Sequence, residues 1–338
     1  IHLFKVIITY IIKMIVKKII LFMSFLFFLL FAVISLSGYI PIFYLPMELA
    51  SHFKIQACIP LFFLTVLYTV GKQRKMARLG WVLLTLNFLE IAPWYFPWAT
   101  PLEIQGTRIK LLFYNQGFWN KNIPAFQRLL SKEKPDIVII NEANRYFAQA
   151  LDSLTNLYPH SIRKMRNDAF SIALWSRFPF SSTSTEFLPS HFTPSLLVTL
   201  NISGKPLHLL TTHPLVGLYG TKEFKSRPAQ LTAISQVLQK YPNPRILMGD
   251  LNTTPWSPYY KKLEKDTHLK NTRKGFGLLP SWPNWPYWQH YSHIPPYLVR
   301  IPIDHCLVSQ DIQVLDIHLG PPMDSDHFPV IVTLVLKK

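Results

Sequence analysis

Cysteine is nearly absent from this chain: Cys58 and Cys306 are the only two in 338 residues. Two thiols make no disulfide framework and no zinc ligand set. Cys58 also falls in an apolar run expected to lie in a membrane, so the two are not expected to bridge. No internal repeat is present, which leaves out solenoid and propeller arrays. Acidic residues are scarce, 18 Asp and Glu against 35 Lys and Arg, for a net charge of +17. Residues 1–104 hold nine of the basic and three of the acidic residues, so 26 and 15 remain beyond them, a net +11. A basic domain of this kind attracts anions: phospholipid head groups, nucleic acid or phosphorylated polymers.

Charge is missing from residues 19–40 and 55–71, and residues 79–98 carry only Glu90. The first run is 22 residues long, enough to cross a hydrocarbon core of about 30 Å. Three transmembrane helices are predicted, with buried core helices as the alternative for the second and third and a cleaved signal peptide as the alternative for the first. Lys5, Lys13, Lys17 and Lys18 precede the first run, and Lys72, Arg74, Lys75 and Arg78 separate the second from the third. The positive-inside rule then puts the N-terminus and the 72–78 loop in the cytoplasm and everything after about residue 100 outside. Trp94, Tyr95, Phe96 and Trp98 stand where an interfacial aromatic belt is expected. The chain opens on Ile1, so it is expected to be a fragment or to have an unusual start codon, with Met14 and Met23 as candidate true starts. The predicted organisation is a membrane anchor over 1–104 and a second domain over 105–338.

Beyond a Pro-rich junction, short β-rich runs alternate with helical patterns. "TRIKLLFYN" (107–115), "PDIVIINE" (135–142), "FSIALWSR", "SLLVTLNI", "PLHLLTTH", "RILMGDLN", "IDHCLVS" and "FPVIVTLVL" read as strands, while 123–133 and 230–239 read as helices. Many strands with few helices predict an α/β sandwich, two sheets face to face with helices outside.

Polar residues recur at the strand ends: Asn115, Glu142, His213, Asp250 with Asn252, Asp304, and Asp326 with His327. Singly, such residues are mostly turn formers or caps. Together they describe one chemistry. Clustered carboxylates repel unless a cation is present, and Mg²⁺ takes one or two carboxylates plus phosphate oxygens. Imidazoles then bind a phosphoryl group or protonate a leaving oxygen, and a carboxylate such as Asp250 accepts a proton from water. Asp250 and Asn252 lie two apart, so on an extended segment both face the same way.

"GDLNTTP" (249–255), "SDHFPV" (325–330), "PDIVIINE" and "LTTHP" (210–214) together resemble the endonuclease/exonuclease/phosphatase superfamily over about residues 107–336. The resemblance implies a four-layer α/β sandwich, here preceded by the transmembrane helices, and a phosphoesterase using Mg²⁺ or Mn²⁺. It implies Glu142 as metal ligand, Asn115 as metal and phosphate support, and Asp326 as a metal assistant. It further implies His213, Asp250, Asn252 and His327 as catalytic, with Asp304 orienting His327. Arg177 in "LWSRFPF" matches a common turn of the family and is a substrate-binding candidate, with a structural role as the alternative. The first strand ends "YNQG" (114–117) where many relatives have a second Asn two residues on, and Asn141 stands where Gln is common before the Glu.

Residues 279–296, crowded with Pro and Trp, are predicted to form no regular element. Trp282 and Trp285 are candidate substrate contacts, for a base, an acyl or sugar moiety, or the bilayer interface. The alternative is a hydrophobic plug closing one edge of the sandwich. The expected activity is hydrolysis of phosphate esters by a multi-pass cell-membrane enzyme whose catalytic domain is extracytoplasmic. The substrate is left open among phospholipid head groups, nucleic acid and soluble phosphates. A surface nuclease and an inactive anion-binding module are the alternatives.

Overall fold

Among the described residues, the three apolar runs of the first ninety fold as helices. The computed structural model describes residues 2–39, 45–96, 105–188, 193–216, 221–285, 289 and 292–337. Contacts divide the chain into two units, Ile1–Ile91 and Ala92–Lys338.

The first unit contains α1 (His2–Leu36), a short 3₁₀ turn, α2 (Leu45–Ser51), α3 (Lys54–Val70) and the start of α4 (Arg74–Tyr95). Phe28, Ala32, Leu61, Tyr68, Ala77 and Leu83 form its core. Lys54 is fully buried, and its Nζ reaches Glu90 Oε2 at 2.8 Å, Ser35 O at 2.7 Å and Asn87 Oδ1 at 3.0 Å. The one acidic group in the third apolar run is therefore paired, which a charge in so apolar a setting requires. Helices form at all three expected runs, but among the described residues only Ile7–Tyr39 is long and apolar enough to cross a membrane. The second helix has 17 residues, and the third opens on Arg74, Lys75 and Arg78. The expectation of several transmembrane helices is corrected accordingly. Residues 40 and 97–98, the ends of two expected spans, lie outside the described residues.

The second unit runs β1 (Gly106–Asn115), α5 (Ile123–Glu133), β2 (Ile137–Asn141), α6 (Arg145–Asp152), β3 (His160–Lys164), β4 (Ile172–Ser176), β5 (Phe180–Phe187), β6 (Pro194–Ile202), β7 (Lys205–Thr212), α7 (Thr221–Gln239), β8 (Arg245–Asp250), α8 (Pro258–Thr267), β9 (Lys270–Asn271), α9 (Pro296–Val299), β10 (Asp304–Val308), β11 (Ile312–Leu319) and β12 (Val330–Lys337). Among the described residues two six-stranded mixed sheets form, ordered β11-β12-β1-β2-β4-β3 and β5-β6-β7-β8-β10-β9. β1–β2 and β7–β8 are their parallel pairs.

Period-2 alternation places the core. Ile109, Leu111 and Phe113 of β1, Ile137 and Ile139 of β2, Leu207 and Leu209 of β7, Ile246 and Met248 of β8, and Cys306 and Val308 of β10 meet between the sheets. The other face of the first sheet, Leu112, Tyr114, Val138, Ile140 and Trp175, packs on Phe126, Leu129 and Leu130 of α5 and Phe147 and Leu151 of α6. On the second sheet, Tyr260 of α8 packs against His305 of β10 with ring centroids 4.7 Å apart. The predicted helix at 230–239 begins earlier, at Thr221. Between Leu279 and Pro295 the described residues form no strand or α-helix; they hold one bridge, Trp282 to Ile301, and a residue of 3₁₀ turn at Gln289.

Candidate active site

The inward parity that builds the core continues past it into polar residues. Asn115 follows Phe113, Asn141 follows Ile139, His213 follows the β7 residues, Asp250 follows Met248, and Asp304 precedes Cys306. Register brings them together: Asn115 is the neighbour of Asn141, Asp304 is directly opposite Asp250, and Thr212 pairs with Gly249 beside them. Gly249 is required there, because a Cβ at this position would lie 2.1 Å from Thr212 O.

Asp250 is the hub and is 1% exposed. Its Oδ2 accepts from Asn115 Nδ2 at 3.1 Å and lies 3.5 Å from His213 Nε2 and 3.7 Å from His327 Nε2. Its Oδ1 accepts the Asn252 backbone N–H at 2.9 Å. Asn115 Nδ2 also donates to Glu142 Oε1 at 3.1 Å, and Phe118 N donates to Glu142 Oε2 at 3.2 Å. His327 Nδ1 donates to Asp304 Oδ2 at 2.9 Å. Glu142 and Asn252 both hold positive φ, 55° and 50°, a conformation that non-glycine residues keep only where surroundings enforce it.

Charge follows from these contacts. Burial works against ionisation of Asp250, but the His213 hydrogen bond and the His327 charge overcome it and hold the carboxyl at about 2. Burial opposes the charge on His327, yet Asp304, Asp326 and Asp250 push it up to about 10. Burial raises the Glu142 carboxyl, with His213 opposing and Asp326 adding. Burial also raises Asp304, and His327 opposes it.

Asn252 corrects one expectation. β8 ends at Asp250, so the period-2 rule does not reach Asn252. Its Nδ2 donates instead to Pro214 O at 2.9 Å, and its carbonyl accepts from Arg227 Nη1 at 2.5 Å, so it ties the loops after β7 and β8 together. Asp326 accepts from Trp282 Nε1 at 2.9 Å, which carries the tryptophan loop to this edge. Trp285 lies exposed on the same segment, next to Asn284, whose Nδ2 donates to Ser325 O at 3.3 Å. Arg177 is not brought to the group. It follows β4, which runs antiparallel to β2, and it pairs with Asp136 at 3.2 Å at the opposite end of that strand.

Sequence reasoning missed the supports. Ser325 Oγ donates to Asn115 O at 2.8 Å and accepts His327 N–H at 3.0 Å, joining the first and last strands at the site. It stands inside the "SDH" motif, which was the available signal. Ser281 Oγ accepts the Asp304 N–H at 3.4 Å, and the ring Nε2 of His305 meets Thr253 O at 2.8 Å. Neither has a local sequence signature.

Residues 112–327 match the Endonuclease/Exonuclease/phosphatase family. The chain belongs to that family. Among solved structures it is similar to D. rerio TDP2 complexed with single strand DNA product, at 16% identity and a TM-score of 0.57, covering 68% of this chain and 99% of that one. It is similar to the 3' phosphatase NExo from Neisseria bound to product DNA hairpin, at 18% identity and a TM-score of 0.53, over 66% and 98%. It is also similar to an endonuclease/exonuclease/phosphatase from Beutenbergia cavernae DSM 12333, at 19% identity and a TM-score of 0.51, over 68% and 72%. At these identities the likeness is one of fold. With the family, it makes this chain a phosphoester hydrolase.

The residues present fit a divalent cation, on which members of the family typically depend. Asp250, Asp304 and His327 each offer a ligand atom within 4.8 Å of the others, but His327 is protonated there and paired with Asp304, so Glu142, which shares the Asn115 amide with Asp250, is the carboxylate left to a cation. Buried polar atoms without a hydrogen-bond partner also lie at this edge: His213 Nδ1, Asn141 Oδ1, Gln116 Oε1 and Thr253 Oγ1. Such atoms call for an ion, water or ligand.

Proposed function

We propose that this chain is a membrane-anchored, Mg²⁺-dependent phosphoesterase, with Mn²⁺ as a substitute. The observation that carries the reading is the convergence on Asp250 Oδ2 of one amide and two imidazoles, with Glu142 next to them through Asn115. Glu142, Asn115 and Asp326 are the residues assigned to hold the cation. A bound divalent cation polarises a phosphoryl oxygen and neutralises developing charge.

The chain's own residues do the rest. Asp250 is ionised at neutral pH and takes a proton from the attacking water. His213 and the protonated His327 donate hydrogen bonds to the phosphoryl oxygens, where preorganised donors act most strongly. Asp304 orients His327. Asn252 acts as a tie between loops, and Trp282 and Trp285 flank the substrate next to Asp326.

The anchor is assigned to residues 1–104 and the catalytic domain to 105–338. With one crossing by α1 and Lys5, Lys13, Lys17 and Lys18 inside, the catalytic domain lies outside the cytoplasm. A nuclease is the second reading, favoured by fold relatives whose structures hold DNA product. The test is hydrolysis by the detergent-solubilised chain, with Mg²⁺ and with chelator. The substrates are plasmid DNA, a single-stranded oligonucleotide, sphingomyelin, phosphatidylinositol phosphates and bis(p-nitrophenyl) phosphate. Absence of metal-dependent turnover on all of them, with Asp250→Asn indistinguishable from the parent, refutes the reading.

A further inference from the structure

Two segments that carry site residues meet at a tryptophan outside the site. Residues 92–95, the last turn of α4, belong to the second unit. Trp94 in that turn is 4% exposed, and its ring stands edge to face with Trp256, itself 1% exposed, the centroids 5.7 Å apart and the planes at 68°. The Trp94 carbonyl accepts from Gly275 N at 3.1 Å and from Gly277 N at 2.6 Å, and Gly275 N also donates to Pro93 O at 3.1 Å. We propose that Trp94 is a positioning residue of the active site: it clamps the segment after β8 to the segment 275–282 and through them holds Asp250, Asp304 and Asp326 in place. Its effect on rate rests on the phosphoesterase reading, and the clamp itself does not.

Each half of the clamp leads to the site. Trp256 closes the run that starts at Asp250 and hands over to α8, where Ser257 N donates to Thr254 O at 3.0 Å and Ser257 Oγ accepts from Tyr259 N at 3.3 Å. Within that run Asn252 N donates to Asp250 Oδ1, and Thr253 O meets His305 Nε2. On the other side, residues 275–277 lead to Ser281, whose Oγ accepts the Asp304 N–H, and to Trp282, whose Nε1 donates to Asp326. Neither segment belongs to a strand. The end of a helix does the holding instead.

The local sequence suits this use. A helix leaves its last carbonyls without partners, and here Gly275 and Gly277 supply the donors. Both hold positive φ, 89° and 100°, which a side chain opposes, so "GFG" (275–277) can turn two N–H groups onto the helix end. Lys274 closes the same corner, its Nζ 5.7 Å from the Trp94 ring centroid and 3.1 Å from Glu264 Oε1 of α8. A residue that only filled space would need apolar volume and nothing more. Trp94 gives one segment a carbonyl and the other an aromatic contact of preferred geometry. Misplacing a reacting group by about 1 Å costs on the order of a hundredfold in rate, so a clamp on both segments bears directly on Asp250 and on the Asp304–His327 pair.

The test compares the full chain in detergent with Trp94→Leu and Trp94→Phe. Leucine keeps apolar volume and loses the ring, whereas phenylalanine keeps a ring. Hydrogen exchange read by mass spectrometry over 250–257 and 275–282, without metal or substrate, reports the clamp. Hydrolysis of bis(p-nitrophenyl) phosphate with Mg²⁺ reports its consequence. Trp94→Leu should speed exchange in both segments and leave β1 and β2 unchanged. It should lower kcat by roughly tenfold to a hundredfold, with KM changed far less. Trp94→Phe should stay near the parent in both readings. Melting profiles verify folding, and Trp94→Met replaces Trp94→Leu, with the same outcomes, if the leucine variant does not fold. Exchange that is unmoved, that rises throughout the domain, or that is equal in the leucine and phenylalanine variants overturns the proposal, since Trp94 then only fills space. Faster exchange with parental kcat overturns it as well. A parent chain without turnover fails the phosphoesterase reading, and exchange alone then decides the clamp.

Discussion

Asp304 holds His327 by its Nδ1 at 2.9 Å, which leaves the other ring nitrogen 3.7 Å from Asp250. A buried carboxylate behind an imidazole keeps the ring oriented and charged. His327→Ala should therefore lower turnover by a factor of about 10² to 10³, the range for loss of one preorganised donor. Asp304→Asn should cost less and should shift the alkaline limb of the pH–rate profile downward, because His327 loses the charge that keeps it protonated. Steady-state kinetics across pH decides; an unmoved alkaline limb removes Asp304 from the orienting role.

Asp250→Asn preserves shape and removes the proton acceptor. Loss of about 10² to 10⁴ in kcat is expected. Combined with His327→Ala, the loss should be less than additive, since both groups act on one transition state. Full turnover by the folded Asp250→Asn chain would falsify the base assignment.

The metal reading predicts that excess chelator abolishes turnover and that Mg²⁺ or Mn²⁺ restores it. Glu142→Gln should raise the Mg²⁺ concentration needed for half-maximal rate by about tenfold or more, the order seen when groups at a metal site are altered. A titration of rate against free Mg²⁺ reads this directly. An unchanged midpoint places Glu142 outside the cation site.

His305 predicts an acid-side effect on stability. Burial first, then the Arg273 charge, lowers its pKa to about 3, against about 6.5 in an unfolded chain. Between those values the unfolded state binds a proton that the folded state does not. Stability contributed by neutral His305 is thus whole above about pH 6.5, declines as pH falls, and is gone near pH 3. His305→Asn should flatten the fall of melting temperature over that window, measured in detergent against the parent. Parallel curves for the two proteins would remove His305 as the source.

Anchoring predicts that the chain stays in the membrane fraction through an alkaline carbonate wash. A reporter fused after Lys338 should be active outside the cytoplasm. A reporter active only in the cytoplasm contradicts the topology, and release by the wash contradicts insertion of α1.

Much of this protein is written in local pattern. Apolar runs mark β1, β2, β4, β6, β7, β8, β10 and β12, because each is buried on at least one face, and β2, β4, β8 and β10 on both. The strands that escaped sequence reading are β3, β5, β9 and β11, the four edges of the two sheets. β3 and β5 are bordered on one side only and keep polar residues outward, "HSIRK" and "FSSTSTEF", so they carry no apolar run to find; in β11 a bulge between Val314 and Asp316 breaks the alternation. The polar strand ends were legible as types: Asn115, Glu142, His213, Asp250, Asp304 and His327 stand at element ends in the sequence. Their convergence was not, because it depends on partners far along the chain. Asp304 meets Asp250 through the register of β10 on β8, Asn115 meets Asn141 through β1 on β2, and Ser325 closes the group from a loop 210 residues away from Asn115. Arg177 and Asn252 show the converse. Local motif made the first a candidate substrate contact and the second a catalytic one, while strand direction carried Arg177 to the far end of its sheet and the end of β8 turned Asn252 toward Pro214. Periodicity speaks for the face a residue takes, and only strand pairing across long sequence separations decides which residues share a site.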